Sequence, residues 1–551
     1  MQTKPWHAHY DYNVPTTIRY PKIPVQNLMH MAAAQYPHKA AFYFYGCELT
    51  FTQLRKQVLR LANAFGSLGV KKGDRIGIAL PNCPQYVIAY HAALSAGAVV
   101  VNMNPYYTRD ELKFMVENTG MQTLVTYDEA LPTMGPLAKD MSLKRVIVTR
   151  LADYMQHDDV NAAKRLTLEE GWHNFSTLIR ECDDMRIPRI EFSPQDGALI
   201  QFTGGTTGLP KGALLTHANM IASVFQASLW FNSFLIYSPY EKRRTLIVIP
   251  LFHIYGNVFM NWSFLNAATQ ILLPRFELDE VLDTIGKFDQ ITFFPAVPTI
   301  ITAIVNSSKA GSLNLGERIR LINSGGAPMP AELIFKVKDM GLSFGEGWAM
   351  SETTTMGTCN PILANKPGSI GIPVMDNDVR LVDAETGDKE VPVGSPGEII
   401  IKGPTVMKEY WNNPEETANQ LKDGWLYTGD IARADEDGYL YIVDRKKDMI
   451  IAGGFNIYPR EVDEVLYQHP KISEAVTVGI PDTYRGETVK AFIVLKSGES
   501  VTEKDIISFC KQKLASYKVP KIIEFRDAIP KSAVGKILRK ILRDEELAKQ
   551  G

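Results

Sequence analysis

The sequence predicts an α/β protein: a large N-terminal domain built on doubly wound sheets, followed by a small α+β C-terminal domain. Three observations predict it. Helical and strand-like runs alternate through most of the chain, the pattern of a largely parallel sheet covered on both faces. The 551 residues exceed what a single hydrophobic core supports. After about Tyr441 the texture changes, and a short charged run opens a compact, lysine-richer region.

Leu54, Val58, Leu61, Ala62 and Phe65 recur at helical spacing, and the strand-like DRIGIAL (74–80) follows. A second helical stretch over 84–96 leads into VVVNMNP. Thr108 and Glu111 form a capping box that opens another helix, and TLVTY is the next strand. Residues 245–274 contain no Asp, Glu, Lys or Arg. Pro250, His253, Gly256, Asn257, Asn261, Asn266 and Gln270 interrupt that run, which reads as a strand, a helix and a strand buried in a large domain, not as a membrane span. In the last region PREVDEVLYQ and TEKDIISFCKQKL read as amphipathic helices, and EAVTVGI, VKAFIVLK and KIIEF as strands. The expected partition is a core domain over 1–444, a hinge at 445–447 and a C-terminal domain over 448–551.

Composition narrows the function classes. Hydrophobic content of 45% and charged content of 22% fit an ordinary globular protein, and a net charge of −2 gives nucleic acid no foothold. Five scattered cysteines make no Cys-x-x-Cys pair and no zinc spacing, which suits a reducing cytoplasm. The N-terminus, MQTKPWHAHYDYNVP, lacks the apolar stretch of a signal peptide. A peripheral membrane contact and a homodimer stay compatible with all of this.

The most informative stretch is FTGGTTGLPKGALLTH (202–217). It lacks the Gly-Lys-Ser/Thr of a P-loop and the Gly-x-Gly-x-x-Gly of a dinucleotide fold. Its flanks, GALIQF and GALLTH, read as two strands, with a helix starting from Thr216 as N-cap. Gly204, Gly205, Gly208 and Gly212 let the backbone approach a ligand, and Thr203, Thr206, Thr207 and Lys211 would face phosphate with hydroxyls and an ammonium. Taken alone, such a loop is equally a glycine-rich surface connection.

It is not alone. PLFH (250–253), NSGGAP (323–328), GWAMSETT (347–354), GEIIIKG (397–403), GWLYTGD (424–430), DRKKDMI (444–450) and PKSAVGKILRK (530–540) follow in order. Together with the glycine loop, this set resembles the acyl- and aryl-CoA ligase, luciferase and peptide-synthetase adenylation superfamily, over nearly the whole chain. The resemblance implies a large adenylate-forming domain, a mobile C-terminal domain, and ATP, Mg2+ and coenzyme A as cofactors. It implies that the loop cradles the triphosphate, that Lys536 bridges the substrate carboxylate and the α-phosphate, and that Glu352 holds Mg2+. Gly326, Ala327 and Pro328 resemble the backbone wall beside adenine. Gly347 and Trp348 lie in the motif whose aromatic residue covers the base, tryptophan here replacing the commoner tyrosine. Ser351 replaces a threonine and keeps its hydroxyl. Asp430 resembles the acceptor of the ribose hydroxyls, with Arg445 as its cationic companion. His253 matches a residue that lines the acyl pocket, a positioning role and not that of a general base: an ionised carboxylate needs none, and a thiol with a pKa near 8.5 ionises readily. Lys447 matches the pivot about which the C-terminal domain turns between two half-reactions, after which Gly453 and Gly454 line the pantetheine tunnel.

The segment 423–447 and the opening PW…VPTTIRYPKIPVQNLM resemble bacterial fatty acid–CoA ligases. No aspartate stands beside Leu251, Phe252 and His253 to pair with an amino acid's ammonium, and no carrier domain ends the chain, so peptide synthesis is disfavoured. The expected reaction is ATP-dependent conversion of a fatty acid to acyl-adenylate and then to acyl-CoA. An aryl-acid CoA ligase and a luciferase-type oxygenase are the alternatives on the same fold.

Overall fold

The computed structural model describes residues 4–550, apart from 157–165, 204–209, 327–328, 330, 453–454, 483–484 and 532–536. The chain divides into two compact units. The larger takes the chain up to residue 204, Pro210–Asp378 and Lys402–Leu421; the smaller takes Val379–Ile401 and Lys422–Gly551.

An eight-stranded sheet forms the centre of the larger unit. From edge to edge it runs Glu409–Tyr410, Lys211–Thr216, Gly197–Thr203, Val99–Asn102, Arg75–Ile78, Thr123–Tyr127, Arg145–Thr149 and His173–Asn174. Its last six strands are mutually parallel, while Lys211–Thr216 is antiparallel to Gly197–Thr203. The parallel strands Val99–Asn102 and Thr123–Tyr127 are buried at every position, as a sheet covered on both faces requires. The helix Phe51–Ser67 buries Leu54, Val58, Leu61, Ala62 and Phe65, the stripe its spacing predicts, and Thr50 closes its N-terminus with a capping box. Thr108 and Glu111 form the expected box at helix Arg109–Thr119, and Thr216 caps His217–Trp230.

The uncharged run 245–274 resolves as expected into strand Arg244–Ile247, helix Ile254–Leu265 and strand Thr269–Leu272. Both strands pair in parallel within a four-stranded sheet that also holds Ala40–Phe44 and Cys47–Thr50. Among the described residues no helix is long and apolar enough to cross a membrane. A third sheet carries Phe294–Ala296, Ile322–Ser324, Phe344–Trp348, Thr358–Cys359 and Ile372–Pro373. At Gly371 (φ +79°) an added Cβ would stand 2.0 Å from the carbonyl carbon of Cys359, so only glycine fits that turn.

The smaller unit contains two sheets. One joins Asp378–Val382, Gly397–Lys402, Trp425–Ala434, Leu421–Lys422 and Leu440–Arg445; the other joins Phe455–Ile457, Ile450–Ala452, Gly486–Leu495, Ile472–Asp482 and Ile522–Phe525. The segment 445–447 runs from one to the other. Helices Pro459–Tyr467 and Glu503–Lys511 match the two amphipathic segments, and Val462, Leu466, Ile506 and Cys510 enter the core under the second sheet. A third helix, Arg539–Gln550, ends the chain.

Three histidines of the larger unit are held neutral by burial. His217 accepts from the Val25 backbone N–H at 3.1 Å, and burial pulls its pKa down to about 4. Burial, helped by the charge of Arg55, takes His30 down to about 4; burial, helped by His30, takes His91 to about 3. Each of these groups takes up its proton on unfolding, near the ordinary histidine value of 6.5. Stability is therefore full above about pH 6.5 and falls as the pH drops toward 4, each histidine contributing up to roughly 1.4 kcal/mol per pH unit. His217→Asn keeps an acceptor for Val25 and removes one titrating group. Its melting temperature is expected to fall less than that of the unsubstituted protein between about pH 6.5 and 4.5; parallel curves in calorimetry would contradict this account.

Candidate active site

The site residues group within each unit. In the larger unit, the hairpin Gly197–Thr203 and Lys211–Thr216 sets Thr203 directly opposite Lys211, at the base of the glycine loop. Thr203 Oγ1 lies 3.4 Å from the Lys211 carbonyl oxygen. Gly204, Gly205, Thr206, Thr207 and Gly208 lie outside the described residues, as do Ala327, Pro328, Gly453, Gly454 and Lys536.

Lys211 is engaged. Its ammonium pairs with the Glu416 carboxylate and stands 5.6 Å from the centre of the Tyr410 ring. Tyr410 in turn donates its hydroxyl to Glu352 Oε1 at 2.7 Å. Tyr410 reaches both groups because strand Glu409–Tyr410 adds to the sheet edge beside Ala213 and Leu214. Burial first, and then the Glu352 charge, raise the Tyr410 pKa far above its ordinary value, so the phenol stays protonated and donates. Glu352 itself is 5% exposed. It sits in the short helical turn Ser351–Thr353, and its own carbonyl accepts from the Met407 N–H at 2.7 Å. Sequence reasoning found Lys211, Ser351 and Glu352 and missed Tyr410 and Glu416. Both lie in KEYWNNPEE (408–416), an aromatic and acidic stretch that matched no expected motif.

A single buried carboxylate, oriented by a phenol, fits Mg2+. That hard cation takes one or two protein carboxylates and fills its remaining positions with phosphate oxygens and water.

Helix Ile254–Leu265 positions the other predicted residues of this unit. His253 is its N-cap, and His253 Nδ1 accepts from the Tyr255 N–H at 3.2 Å. With Nδ1 accepting, the neutral ring carries its proton on Nε2. At Gly256 an added Cβ would meet the Pro250 carbonyl oxygen at 2.2 Å, so the PLFH turn folds back onto the helix only over glycine. The Tyr255 hydroxyl reaches the middle of strand Ile322–Ser324 and donates toward Asn323, 2.9 Å from its carbonyl oxygen and 2.8 Å from its Oδ1. Gly325 stands in contact with the same ring, and Gly326 turns the backbone at φ +82°. The motif NSGG is thus held from below by an aromatic residue of the helix. Trp348 is 9% exposed, and its ring packs on Gly357, where a Cβ would come within 2.7 Å. Gly347 presses on the Thr358 carbonyl, which a Cβ would approach to 2.9 Å.

In the smaller unit, the strands Trp425–Ala434 and Leu440–Arg445 pair antiparallel with Asp430 opposite Arg445. Arg445 Nε lies 3.1 Å from Asp430 Oδ1. Glu398 fixes the bend before Asp430: its Oε1 accepts from the Gly429 N–H at 3.0 Å and its Oε2 from Lys446 Nζ at 2.9 Å. Lys447 lies in the short turn Lys446–Asp448 between the two sheets.

Comparison with known proteins gives this geometry a family. Residues 29–411 match the AMP-binding enzyme family, and residues 461–536 match the AMP-binding enzyme C-terminal domain. The chain is 41% identical to a long-chain-fatty-acid–CoA ligase of Bacillus subtilis (strain 168), over 98% of each chain. It is 35% identical to a feruloyl-CoA synthase of an Amycolatopsis species, over 91% of this chain and 95% of that one. Among solved structures it superposes on an anthranilate CoA ligase in complex with anthranoyl-AMP with a TM-score of 0.85, at 27% identity and over 98% of this chain and 99% of that one. The motifs, the order of the sheets and these matches agree, and the chain belongs to the AMP-binding enzyme family.

Proposed function

We propose that this protein is an AMP-forming acid–thiol ligase that activates a fatty acid with ATP and transfers the acyl group to coenzyme A. The observation that carries this reading is the 41% identity, over 98% of both chains, to a long-chain-fatty-acid–CoA ligase. The carboxylate attacks the α-phosphorus, the bond to pyrophosphate breaks, and the acyl-adenylate forms. The thiolate of CoA then attacks the acyl carbon and AMP leaves.

Bringing a carboxylate to a triphosphate sets anion against anion, so the protein must supply fixed positive charge and hold the nucleophile in line. Lys211 and the loop before it take the β- and γ-phosphates, and Lys211 exchanges Glu416 for phosphate oxygens as ATP arrives. Glu352, oriented by Tyr410, would hold Mg2+, which would supply positive charge against the phosphates. Asp430 takes the ribose hydroxyls, with Arg445 holding its carboxylate in place. Trp348 and the turn at Gly326 bound the adenine. His253, its Nδ1 already occupied, presents Nε2–H toward the substrate and positions it. Lys536 bridges carboxylate and α-phosphate in the first half-reaction, and the body of the chain from 448 onward turns about 445–447 before the second. We place the protein in the cytoplasm, where ATP and CoA are supplied; a peripheral membrane contact and a homodimer fit this role.

A second reading has its own support: the feruloyl-CoA synthase match extends over 91% of the chain and makes an aryl acid the competing substrate. Each methylene buried in an apolar pocket contributes about 0.8 kcal/mol, so a fatty acid site distinguishes chain lengths steeply while an aryl site does not. Assayed by pyrophosphate release with CoA present, saturated acids of increasing length are expected to give a kcat/KM that climbs toward long chains and exceeds that for hydroxycinnamates. A preference for hydroxycinnamates would reverse the assignment.

Lys536→Ala is expected to slow adenylation by roughly a hundred- to a thousand-fold, the cost of losing a preorganised charge at the reacting centre. The same variant should still convert supplied acyl-adenylate and CoA to thioester. Equal losses in both half-reactions would make Lys536 a structural residue.

Tyr410→Phe removes the hydroxyl that orients Glu352. Half-maximal adenylation should then require roughly ten-fold more Mg2+, the usual cost of removing a partner of a metal ligand. An unchanged Mg2+ titration would separate Tyr410 from the metal site.

A further inference from the structure

The pivot region carries a contact that crosses it. Asp444 ends strand Leu440–Arg445, on the N-terminal side of Lys447, and is 3% exposed. Its Oδ1 accepts from the neighbouring Arg445 N–H at 2.7 Å. Its Oδ2 accepts from the backbone N–H of Arg460 at 2.7 Å, in the first turn of helix Pro459–Tyr467 on the far side of the pivot. That helix has no side-chain cap of its own, since Tyr458 occupies the N-cap position. Asp444 therefore serves as the cap from across the pivot, its negative charge set against the positive end of the helix.

The last helix reinforces this contact. Arg539, its first residue, donates from Nη2 to Asp463 Oδ2, and Asp463 is 5% exposed. The Arg539 guanidinium also acts on Asp444: burial raises the Asp444 carboxyl above its ordinary range, and Arg539 is the largest influence pulling it back. One turn later, Arg543 Nη1 lies 3.4 Å from the Lys447 carbonyl oxygen, and its Nη2 lies 3.8 Å from Asp448 Oδ1. Arg539 follows Lys536 by three positions. The helix directly after the lysine motif is thus tied by Arg543 to Lys447 and Asp448 at the pivot, and by Arg539 to the helix that Asp444 caps.

We propose that Asp444 is a positioning residue that latches the pivot, holding one of the two conformations of the reaction cycle by capping helix Pro459–Tyr467 and facing Arg539. The inference rests on the reading that the C-terminal body turns about Lys447. Because Asp444 and the Arg460 N–H lie on opposite sides of that residue, a large backbone rotation at Lys447 separates them. A buried carboxylate then loses a donor and its cationic neighbour, and a helix loses its cap. The latch biases the equilibrium between conformations, and therefore one half-reaction relative to the other, without touching substrate.

The test measures both half-reactions separately in the full-length protein: acyl-adenylate formation from ATP and acid, and thioester formation from supplied acyl-adenylate and CoA. Asp444→Asn keeps an acceptor for Arg460 and loses the charge; Asp444→Ala loses both. The ratio of the two half-reaction rates is expected to shift about five- to ten-fold in Asp444→Ala, less in Asp444→Asn, and in the same direction in Arg539→Ala, with Arg539→Lys restoring it in part. The Arg460 amide should exchange hydrogen faster in both Asp444 variants. Lys447→Pro, which fixes φ near −65° at the pivot, serves as the control and should itself split the half-reactions. If Lys447→Pro splits them and the Asp444 variants scale both rates equally, the latch is overturned while the rotation stands. If Lys447→Pro also leaves the ratio unchanged, the rotation falls and the latch with it. Should Asp444→Ala fail to fold, Asp444→Asn and Arg539→Ala carry the same comparison.

Discussion

The larger unit depends on backbone lying directly against backbone. At Gly256 a side chain would meet the Pro250 carbonyl at 2.2 Å, and at Gly371 one would meet the Cys359 carbonyl carbon at 2.0 Å. These are not loose turns in which glycine is merely tolerated. The first closes the PLFH turn onto helix Ile254–Leu265; the second holds Ile372–Pro373 against Thr358–Cys359, which pairs in turn with Phe344–Trp348. Interiors packed to near-crystalline density transmit such constraints over several residues. His253 and Tyr255 stand at the first of these contacts, and the strand that ends at Trp348 pairs with the strands held by the second.

Charge is arranged on this frame before any substrate enters. Lys211 is paired with Glu416, and Glu352 is held by a phenol. A cation already paired is easier to keep in a partly enclosed site than a bare one, and it exchanges partners instead of shedding a full hydration shell. On the proposed reading, Lys211 holds its charge in an ion pair that a polyanion is well suited to replace. The chemistry needs the same feature, since the barrier comes from gathering negative charge in one place.

Much of this was legible in the sequence, for identifiable reasons. Helix Phe51–Ser67 carries a clear apolar periodicity, Val99–Asn102 lies in a short continuous apolar run, and the capping box of Thr108 and Glu111 marks the start of helix Arg109–Thr119. Lys211, Glu352, Asp430 and Arg445 stand out in the sequence because each belongs to a motif with its own local spacing, and the antiparallel register sets Asp430 opposite Arg445. Tyr410 and Glu416 were not. They act on residues 58 and 205 positions away, and such contacts depend on which strand joins which sheet edge. The final helix Arg539–Gln550 was also missed, because its charged sequence has only a thin apolar stripe to betray it. Packing also joins Val379–Ile401 and the strands around Asp430 to the same unit as the C-terminal residues, a grouping that composition does not announce.

The pairing of the N-terminal strand has a consequence for how the chain is made. Ala40–Phe44 completes its sheet by lying parallel to Thr269–Leu272, and Thr269 Oγ1 donates to the Ala40 carbonyl across 229 residues of sequence. As the ribosome delivers the chain from its N-terminus, that strand finds only its hairpin neighbour Cys47–Thr50 until the distant segment emerges. Closing so long a loop carries an entropic cost that no local contact offsets, and sheets built this way form slowly. For that interval Phe42 and Phe44, both fully buried in the finished protein, lie on an open edge. The nascent chain is then most exposed to wrong partners and most dependent on chaperones.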